Sequence, residues 1–200
     1  MWSLDNLTFK LIKAPRIGLF ISGGFDSAVL AYLICKLKCD NKLSTEIIIF
    51  TVPRYDDSYR HAKNIVNWLE NQFQITLEHQ IVGDPNLHHS KQVSSGIVQA
   101  QKLNPTVLLI IADTQNPPEE LGGLGPVRIR SQSALIYQPW FDLDKTETIK
   151  LAQELKILDQ VAILSHTCTE RTELRCGICW QCQERQWAFN KLNLIDVGKK

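Results

Sequence analysis

The feature that most constrains this chain is a turn of sequence Ser-Gly-Gly-Phe-Asp-Ser, residues 22–27, between two apolar segments. Residues 17–21 before it are apolar β-formers, and residues 28–37 after it have the composition of an apolar helix. Two consecutive glycines let the backbone turn tightly and bring its N–H groups against an anion, and the N-terminus of the helix adds a partial positive charge. The order of strand, glycine turn and helix therefore predicts a phosphate-binding loop.

The side chains of this turn add hydrogen-bond donors and a metal ligand. Ser22 and Ser27 can donate to phosphate oxygens, and Asp26 can bind a Mg²⁺ ion that bridges those oxygens. The turn lacks the Gly-Lys-Ser/Thr ending of a Walker A loop, and it is not a GxGxxG turn. It resembles the PP-loop of the N-type ATP pyrophosphatases, which split ATP between its α and β phosphates. The alternative is a plain glycine turn in an ordinary α/β domain.

Strands and helices alternate along most of the chain. A helix is predicted to begin after Asp144 and to run to about residue 156, because Glu147 stands where it completes a capping box. Further strands are predicted at 46–52, 75–82 and 106–112, and further helices at 57–73 and 89–103. Such alternation predicts an α/β fold, a doubly wound, mainly parallel sheet with helices on both faces.

In a sheet of this kind, ligands bind beyond the carboxyl ends of the strands. Thr51 and Val52 end the second strand and are therefore predicted to join the turn in binding a nucleotide. Residues 113–126 follow the most apolar strand, are rich in proline and glycine, and show no apolar period. Because long loops in compact domains are often functional, we predict that this segment is a mobile active-site loop.

Four of the six cysteines lie within residues 168–182, and this clustering favours a metal site over disulfides. Four thiolates suit a closed tetrahedral Zn²⁺ site, which folds the surrounding segment and leaves no open position for activating water. An iron–sulfur cluster is the alternative occupant. His166 is an alternative ligand for one position, and otherwise a surface histidine. The predicted ligands are Cys168, Cys176, Cys179 and Cys182.

Bulk properties limit the domain count and the classes of partner. The 200 residues, 44% of them hydrophobic, suit one α/β domain over residues 1–160, with residues 161–200 as a zinc-binding segment whose terminal helix packs on it. A net charge of +1 provides no long-range field for nucleic acid or a membrane surface. Neither a signal peptide nor a membrane-spanning apolar run is visible, so we expect a cytoplasmic protein without stable nucleic-acid or membrane partners.

The glycine turn, the four cysteines and the stretch Gln-Pro-Trp-Phe-Asp-Leu-Asp-Lys at 138–145 together resemble the 7-cyano-7-deazaguanine synthases (QueC). The resemblance implies an ATP-dependent carbon–nitrogen ligase of queuosine-type nucleoside modification. Such enzymes adenylate 7-carboxy-7-deazaguanine and add ammonia, giving an amide or, with a second ATP, a nitrile. It also implies a possible homodimer, a phosphate-neutralising Lys145, and binding of pyrophosphate and Mg²⁺ by Ser22, Gly23, Gly24, Asp26 and Ser27.

Two other functions compete with this reading. A PP-loop enzyme that adenylates a tRNA base would need a basic surface, which the net charge of +1 does not favour. A non-catalytic zinc-finger module would instead use the cysteines to organise a surface for nucleic acid or protein. The basic and aromatic residues that would form this surface are Arg171, Arg175, Trp180, Arg185 and Trp187.

Overall fold

A computed structural model describes residues 3–54, 56–122 and 127–198. Over these ranges the chain forms one sheet of five strands, all paired in parallel, in the order β3-β2-β1-β4-β5. The strand order reverses between β1 and β4, which creates the kind of crevice where doubly wound sheets bind ligands. The predicted fold class is therefore confirmed. The strands are β1 (Arg16–Phe20), β2 (Glu46–Thr51), β3 (Glu78–Ile81), β4 (Leu108–Ile110) and β5 (Ile136–Tyr137).

The helices follow the predicted segments closely, with two additions. Asp144 accepts hydrogen bonds from the N–H groups of Thr146 and Glu147, and Glu147 bonds back to the Asp144 N–H, so the predicted capping box is confirmed. The additions, which the sequence analysis did not predict, are the N-terminal helix and the short helix Leu158–Leu164. The helices are α1 (Leu4–Ile12), α2 (Phe25–Cys39), α3 (Ser58–Phe73), α4 (His89–Leu103), α5 (Lys145–Glu154), α6 (Leu158–Leu164) and α7 (Trp180–Lys191).

Alternate residues of the strands face two separate apolar layers. Ile17 and Leu19 belong to the layer that contains buried residues of α1, α2, α3, α5, α6 and α7, whereas Phe20 belongs to the layer that contains Ala100 of α4. Gly18 lies between these residues where a Cβ atom would be 2.6 Å from the ring of Phe50. The neighbouring strands thus fill the space above this glycine, and helices cover both faces of the sheet as predicted.

The C-terminal helices pack on the helix that follows the phosphate loop. Val161 of α6 and Phe189 of α7 are fully buried in the larger apolar layer, and the ring of Phe189 meets that of Phe25 edge to face at 6.0 Å. This packing fixes α7 against the N-terminus of α2. Within the described ranges, no helix combines the length and the apolar character that crossing a bilayer requires.

Candidate active site

The predicted phosphate loop is a closed turn between β1 and α2. The hydroxyl groups of Ser22 and Ser27 lie 3.1 Å apart, and Ser27 donates to the carbonyl of Gly24 at 3.1 Å. The N–H groups of Ser22 and Gly24 bond to the serine hydroxyls at 3.2 and 3.3 Å. Gly24 is the N-cap of α2 and has no side chain to cap it. The helix N-terminus therefore offers N–H donors and partial positive charge to an anion.

Gly23 shapes the loop through its backbone conformation. Its φ of +81° lies in the left-handed region, and a Cβ atom would lie 2.4 Å from the carbonyl oxygen of Ser58 at the start of α3. Its own carbonyl accepts the backbone N–H of His166 at 2.8 Å. The loop is thus pressed between α3 and the segment that leads to Cys168, a contact that the sequence analysis did not predict.

Replacing Gly23 by alanine should destabilise the protein by about 2–4 kcal/mol, because the left-handed backbone and the clash with Ser58 act together. Urea denaturation followed by circular dichroism measures this change. Gly24→Ala is the matched control: Gly24 has a negative φ, and its Cβ would be 3.3 Å from only the flexible Ser22 hydroxyl. Equal stability of the two variants would contradict the prediction.

Asp26 lies at the first turn of α2 and bonds two groups from α5. The Lys145 ammonium donates to Asp26 Oδ2, and the Thr148 hydroxyl donates to Asp26 Oδ1 at 2.7 Å. The Lys145 side chain is only 6% exposed and that of Asp26 15%, so this ion pair is largely shielded from water. The structure thus brings together the two residues predicted to be catalytic, although 118 residues separate them in the chain.

Glu184 of α7 adds a second carboxylate that the sequence analysis missed. Its two oxygens accept from Arg128 at 3.2 and 3.1 Å, and Oε2 lies 3.8 Å from the Lys145 ammonium. Arg128 also donates to the Thr114 hydroxyl at 2.8 Å and lies 5.3 Å from the Trp180 ring centroid. Thr114 follows β4, so the cluster lies where the strand order reverses beside β1, beyond the carboxyl ends of the strands.

Thr51 and Val52, the other predicted nucleotide-binding residues, direct their side chains into the protein. The Thr51 hydroxyl donates to the carbonyl of Ile21 at 3.0 Å and bonds the His79 ring at 2.9 Å. Val52 is 6% exposed and belongs to the apolar layer under α4. These side chains hold the end of β2 beside the phosphate loop, and Thr51 is fully buried, with its carbonyl accepting the Val82 N–H at 2.9 Å.

The segment predicted to be an active-site loop lies against α7. The Trp187 indole N–H donates to Glu120, and the Lys191 ammonium lies 3.6 Å from the same carboxylate. Glu120 is part of a short 3-10 helix, Glu119–Leu121. Residues 123–126 of the predicted loop lie outside the described residues. Up to residue 122, side chains of α7 hold the segment beside the charged cluster.

The four predicted thiolate ligands form one group, because their sulfur atoms lie within 4.8 Å of one another. The N–H of Cys176 points to Cys168 Sγ at 3.4 Å, and that of Cys179 points to Cys176 Sγ at 3.2 Å. Burial raises the pKa of Cys176, but N–H groups of Cys179 and Ile178 outweigh burial and lower that pKa to about 7. Burial raises the pKa of Cys168 and of Cys182, so Cys176 is the member of the group that most readily forms a thiolate, and the four sulfurs provide the donor set of a metal site.

His166 is not a surface residue, so that prediction is wrong. It is 5% exposed, its ring stacks on His61 with centroids 4.6 Å apart, and its Nε2–H donates to the Arg171 carbonyl at 2.6 Å. Burial lowers its pKa, as does the nearby His61, and these effects outweigh the opposing effect of the bond to Arg171. The four-sulfur group does not include it.

Two of the three arginines proposed for a nucleic-acid-binding module, Arg175 and Arg185, form ion pairs within the protein, whereas Arg171 is exposed. Arg185 is fully buried and bonds both oxygens of Asp196, at 2.8 and 2.9 Å, while Arg175 pairs with the same carboxylate. Burial raises the pKa of Asp196, but the hydrogen bonds and charges of the two arginines outweigh burial and lower that pKa. These side chains fasten the C-terminus to the cysteine segment and do not form a basic surface.

Sequence comparison matches the C-terminal part of the chain to one family. Residues 119–193 match the family described as Queuosine biosynthesis protein QueC. A stretch of 68 residues is 34% identical to the 7-cyano-7-deazaguanine synthase of Methanobrevibacter smithii. The aligned stretch covers 34% of this chain and only 29% of the length of that relative. The resemblance predicted from the sequence is thus confirmed. The segment matched to the family contains Lys145, Glu184 and the four cysteines, whereas the phosphate loop lies outside it.

Solved structures share the fold over nearly the whole chain. NMN synthetase from Francisella tularensis superposes with a TM-score of 0.53, covering 98% of this chain and 88% of that one at 15% identity. The U34-tRNA thiolase NcsA from Methanococcus maripaludis, solved with its [4Fe-4S] cluster, superposes with a TM-score of 0.50 at 14% identity. That superposition covers 95% of this chain and 71% of the thiolase chain. At these identities the similarity concerns the fold alone, and it agrees with the predicted α/β architecture.

Proposed function

We propose that this protein is an ATP-dependent carbon–nitrogen ligase that adenylates a carboxylate on a small heterocycle, 7-carboxy-7-deazaguanine. One observation carries the proposal: Lys145, within the segment matched to QueC, bonds Asp26 of the phosphate loop. The matched segment and the loop outside it therefore meet in one charged cluster. This is the arrangement expected if ATP is cleaved beside the heterocycle.

A carboxylate is unreactive toward ammonia until one of its oxygens becomes part of a good leaving group. In the proposed reaction a carboxylate oxygen attacks the α-phosphorus of ATP, the bond to the β-phosphate breaks, and pyrophosphate leaves. Ammonia then attacks the acyl carbon of the adenylate, AMP departs with the shared oxygen, and an amide remains. Adenylation of the amide oxygen by a second ATP, followed by loss of AMP, gives the nitrile.

The protein contributes charge and position to these steps, with no nucleophilic side chain. The N-terminus of α2 and the hydroxyls of Ser22 and Ser27 bind the departing pyrophosphate. Lys145 compensates negative charge that develops between the α and β phosphates. Arg128, at the switch point, holds Glu184 beside Lys145 by donating to both of its carboxylate oxygens.

Two metals belong to this proposal. Asp26, with the oxygen donors of Ser22 and Ser27, suits Mg²⁺, which neutralises phosphate charge when bound. For the cysteine group we propose Zn²⁺ over an iron–sulfur cluster, because its sulfurs lie within 4.8 Å of one another. A single Zn²⁺ with bonds of about 2.3 Å needs sulfurs about 3.8 Å apart, whereas a four-iron cluster places each thiolate on a different iron and needs a wider spacing.

The purified protein should release AMP and pyrophosphate when supplied with Mg²⁺, ATP, ammonium and 7-carboxy-7-deazaguanine. Pyrophosphate release is followed with a coupled phosphate assay, and mass spectrometry identifies the amide or nitrile. Pyrophosphate formation should depend on the acid, and the change in the heterocycle should depend on ammonium. Absence of both products from folded, metal-loaded protein would refute this substrate assignment.

A parallel reaction separates the tRNA alternative from the proposal. Unmodified tRNA replaces the heterocycle, and AMP release is measured under the same conditions. We expect AMP release with the acid and none with tRNA, since Arg175 and Arg185 are committed to Asp196. Release that depends on tRNA would instead favour base adenylation.

A further inference from the structure

Binding of Mg²⁺ at Asp26 would have to change the contact between Lys145 and Asp26 in the charged cluster. Both oxygens of Asp26 are engaged, one by the Lys145 ammonium and the other by the Thr148 hydroxyl. A lysine ammonium therefore occupies the carboxylate oxygen that a divalent cation would bind. If Asp26 is to bind Mg²⁺, Lys145 has to move away from Oδ2, since two cations cannot share that oxygen without strong repulsion.

Glu184 is the acceptor to which Lys145 can move. Its Oε2 lies 3.8 Å from the Lys145 ammonium, already within ion-pair distance, so a small rotation of the lysine side chain completes the exchange. Glu184 is 3% exposed and Lys145 6%, so water cannot readily replace a missing carboxylate partner. A buried ammonium that lost Asp26 without a second acceptor would be strongly disfavoured.

Arg128 keeps Glu184 in place for this exchange. It donates to both Glu184 oxygens, and it is itself fixed by Thr114 and by the ring of Trp180. Charges in the cluster alternate in the order Asp26, Lys145, Glu184, Arg128. A divalent cation at Asp26 would lie next to the Lys145 ammonium, and a shift of Lys145 toward Glu184 reduces the repulsion between the two cations.

We propose that Glu184 is a positioning residue that accepts Lys145 when a divalent cation binds, and so frees Asp26 to act as the metal ligand. The inference rests on the proposed function, in which Asp26 binds Mg²⁺ together with ATP. It assigns Glu184 a role in the Mg²⁺ dependence of nucleotide binding, beyond packing α7 on the domain.

The test measures how much Mg²⁺ is needed for binding of α,β-methylene-ATP, an analogue that cannot be cleaved between its α and β phosphates. In Glu184→Gln, Lys145 keeps its bond to Asp26 and competes with the metal. The Mg²⁺ concentration for half-maximal binding of the analogue, followed by calorimetry, should rise by about tenfold or more. Glu154→Gln, an exposed carboxylate on the same helix as Lys145, is the control and should leave this concentration unchanged.

A double-mutant cycle separates this role from a purely structural one. In a Lys145→Met background no ammonium competes for Asp26, so adding Glu184→Gln should leave the Mg²⁺ requirement unchanged. A similar rise in both backgrounds, or no rise in the wild-type background, would overturn the proposal. If Glu184→Gln fails to fold, Glu184→Asp keeps the charge but shortens the reach, and it should give a smaller rise that also disappears with Lys145→Met.

The analogue assay does not need the heterocyclic acid, so the two proposals can fail separately. The wild-type protein could bind the analogue with Mg²⁺ and yet not convert 7-carboxy-7-deazaguanine. That result refutes the substrate assignment, and the double-mutant test of Glu184 and Lys145 still applies. Wild-type protein that does not bind the analogue with Mg²⁺ refutes both.

Discussion

Replacing Lys145 by methionine is expected to slow pyrophosphate release by about 10²- to 10³-fold, the usual effect of removing one donor that stabilises charge in a transition state. Methionine keeps much of the length and apolar stem of lysine but cannot compensate negative charge on phosphate. Loss of the Lys145 ammonium also leaves the Thr148 hydroxyl as the remaining α5 partner of Asp26. Initial rates at saturating ATP, acid and ammonium measure the effect.

The control for this variant is Lys150→Met, which removes an exposed ammonium from the same helix. Lys150→Met should have the wild-type rate of pyrophosphate release. A comparison of the two variants therefore separates the role of Lys145 from a general effect of losing one positive charge. Thermal denaturation of both variants shows whether they are folded. A folded Lys145→Met protein within about twofold of the wild-type rate would contradict a role for Lys145 in ATP cleavage.

Removing the metal should have the largest effect on stability. Cys182 is 3% exposed and lies in the first turn of the helix that carries Glu184, Arg185 and the buried Phe189. Because metal binding at such sites contributes folding free energy, Cys182→Ser should lower the free energy of unfolding by more than ~3 kcal/mol. A strong chelator should have the same effect on the wild-type protein. Denaturant titration and circular dichroism measure both.

The matched control is Cys39→Ser, which changes an exposed cysteine outside the four-sulfur group. It should leave both the metal content and the stability unchanged. Elemental analysis should find one zinc per chain in the wild-type protein and much less in Cys182→Ser. Iron with acid-labile sulfide would contradict the proposed Zn²⁺ occupant, and unchanged stability of metal-free protein would contradict the structural role.

The parts of the fold that were predicted correctly depend on residues close together in the chain. The apolar strand, glycine turn and helix at 17–37 are contiguous, so backbone preference and periodicity suffice to identify them. The capping box of Asp144 and Glu147 spans one helical turn. Likewise, the spacing of Cys176, Cys179 and Cys182 carries its own geometric requirement.

The parts that were missed depend on contacts between distant residues. Helix α1 is short, and its Leu7 and Leu11 are buried in the larger apolar layer by residues that lie far along the chain. His166 was predicted to lie at the surface because a lone histidine carries no burial signal, yet it stacks on His61. Glu184 is an ordinary glutamate on a helix by sequence, and only its proximity to Lys145 and Arg128 sets it apart.

The sequence alone therefore determined the fold class, the phosphate-loop turn and the four thiolates, because hydrophobic periodicity, glycine conformation and ligand spacing are local properties of the chain. The tertiary structure decided which charges meet. Asp26 on α2, Lys145 on α5, Glu184 on α7 and Arg128 after the 3-10 turn converge only because α5 packs against α2 and α7 packs against α5. Electrostatic energy depends on distance in space, which the order of residues along a chain does not specify.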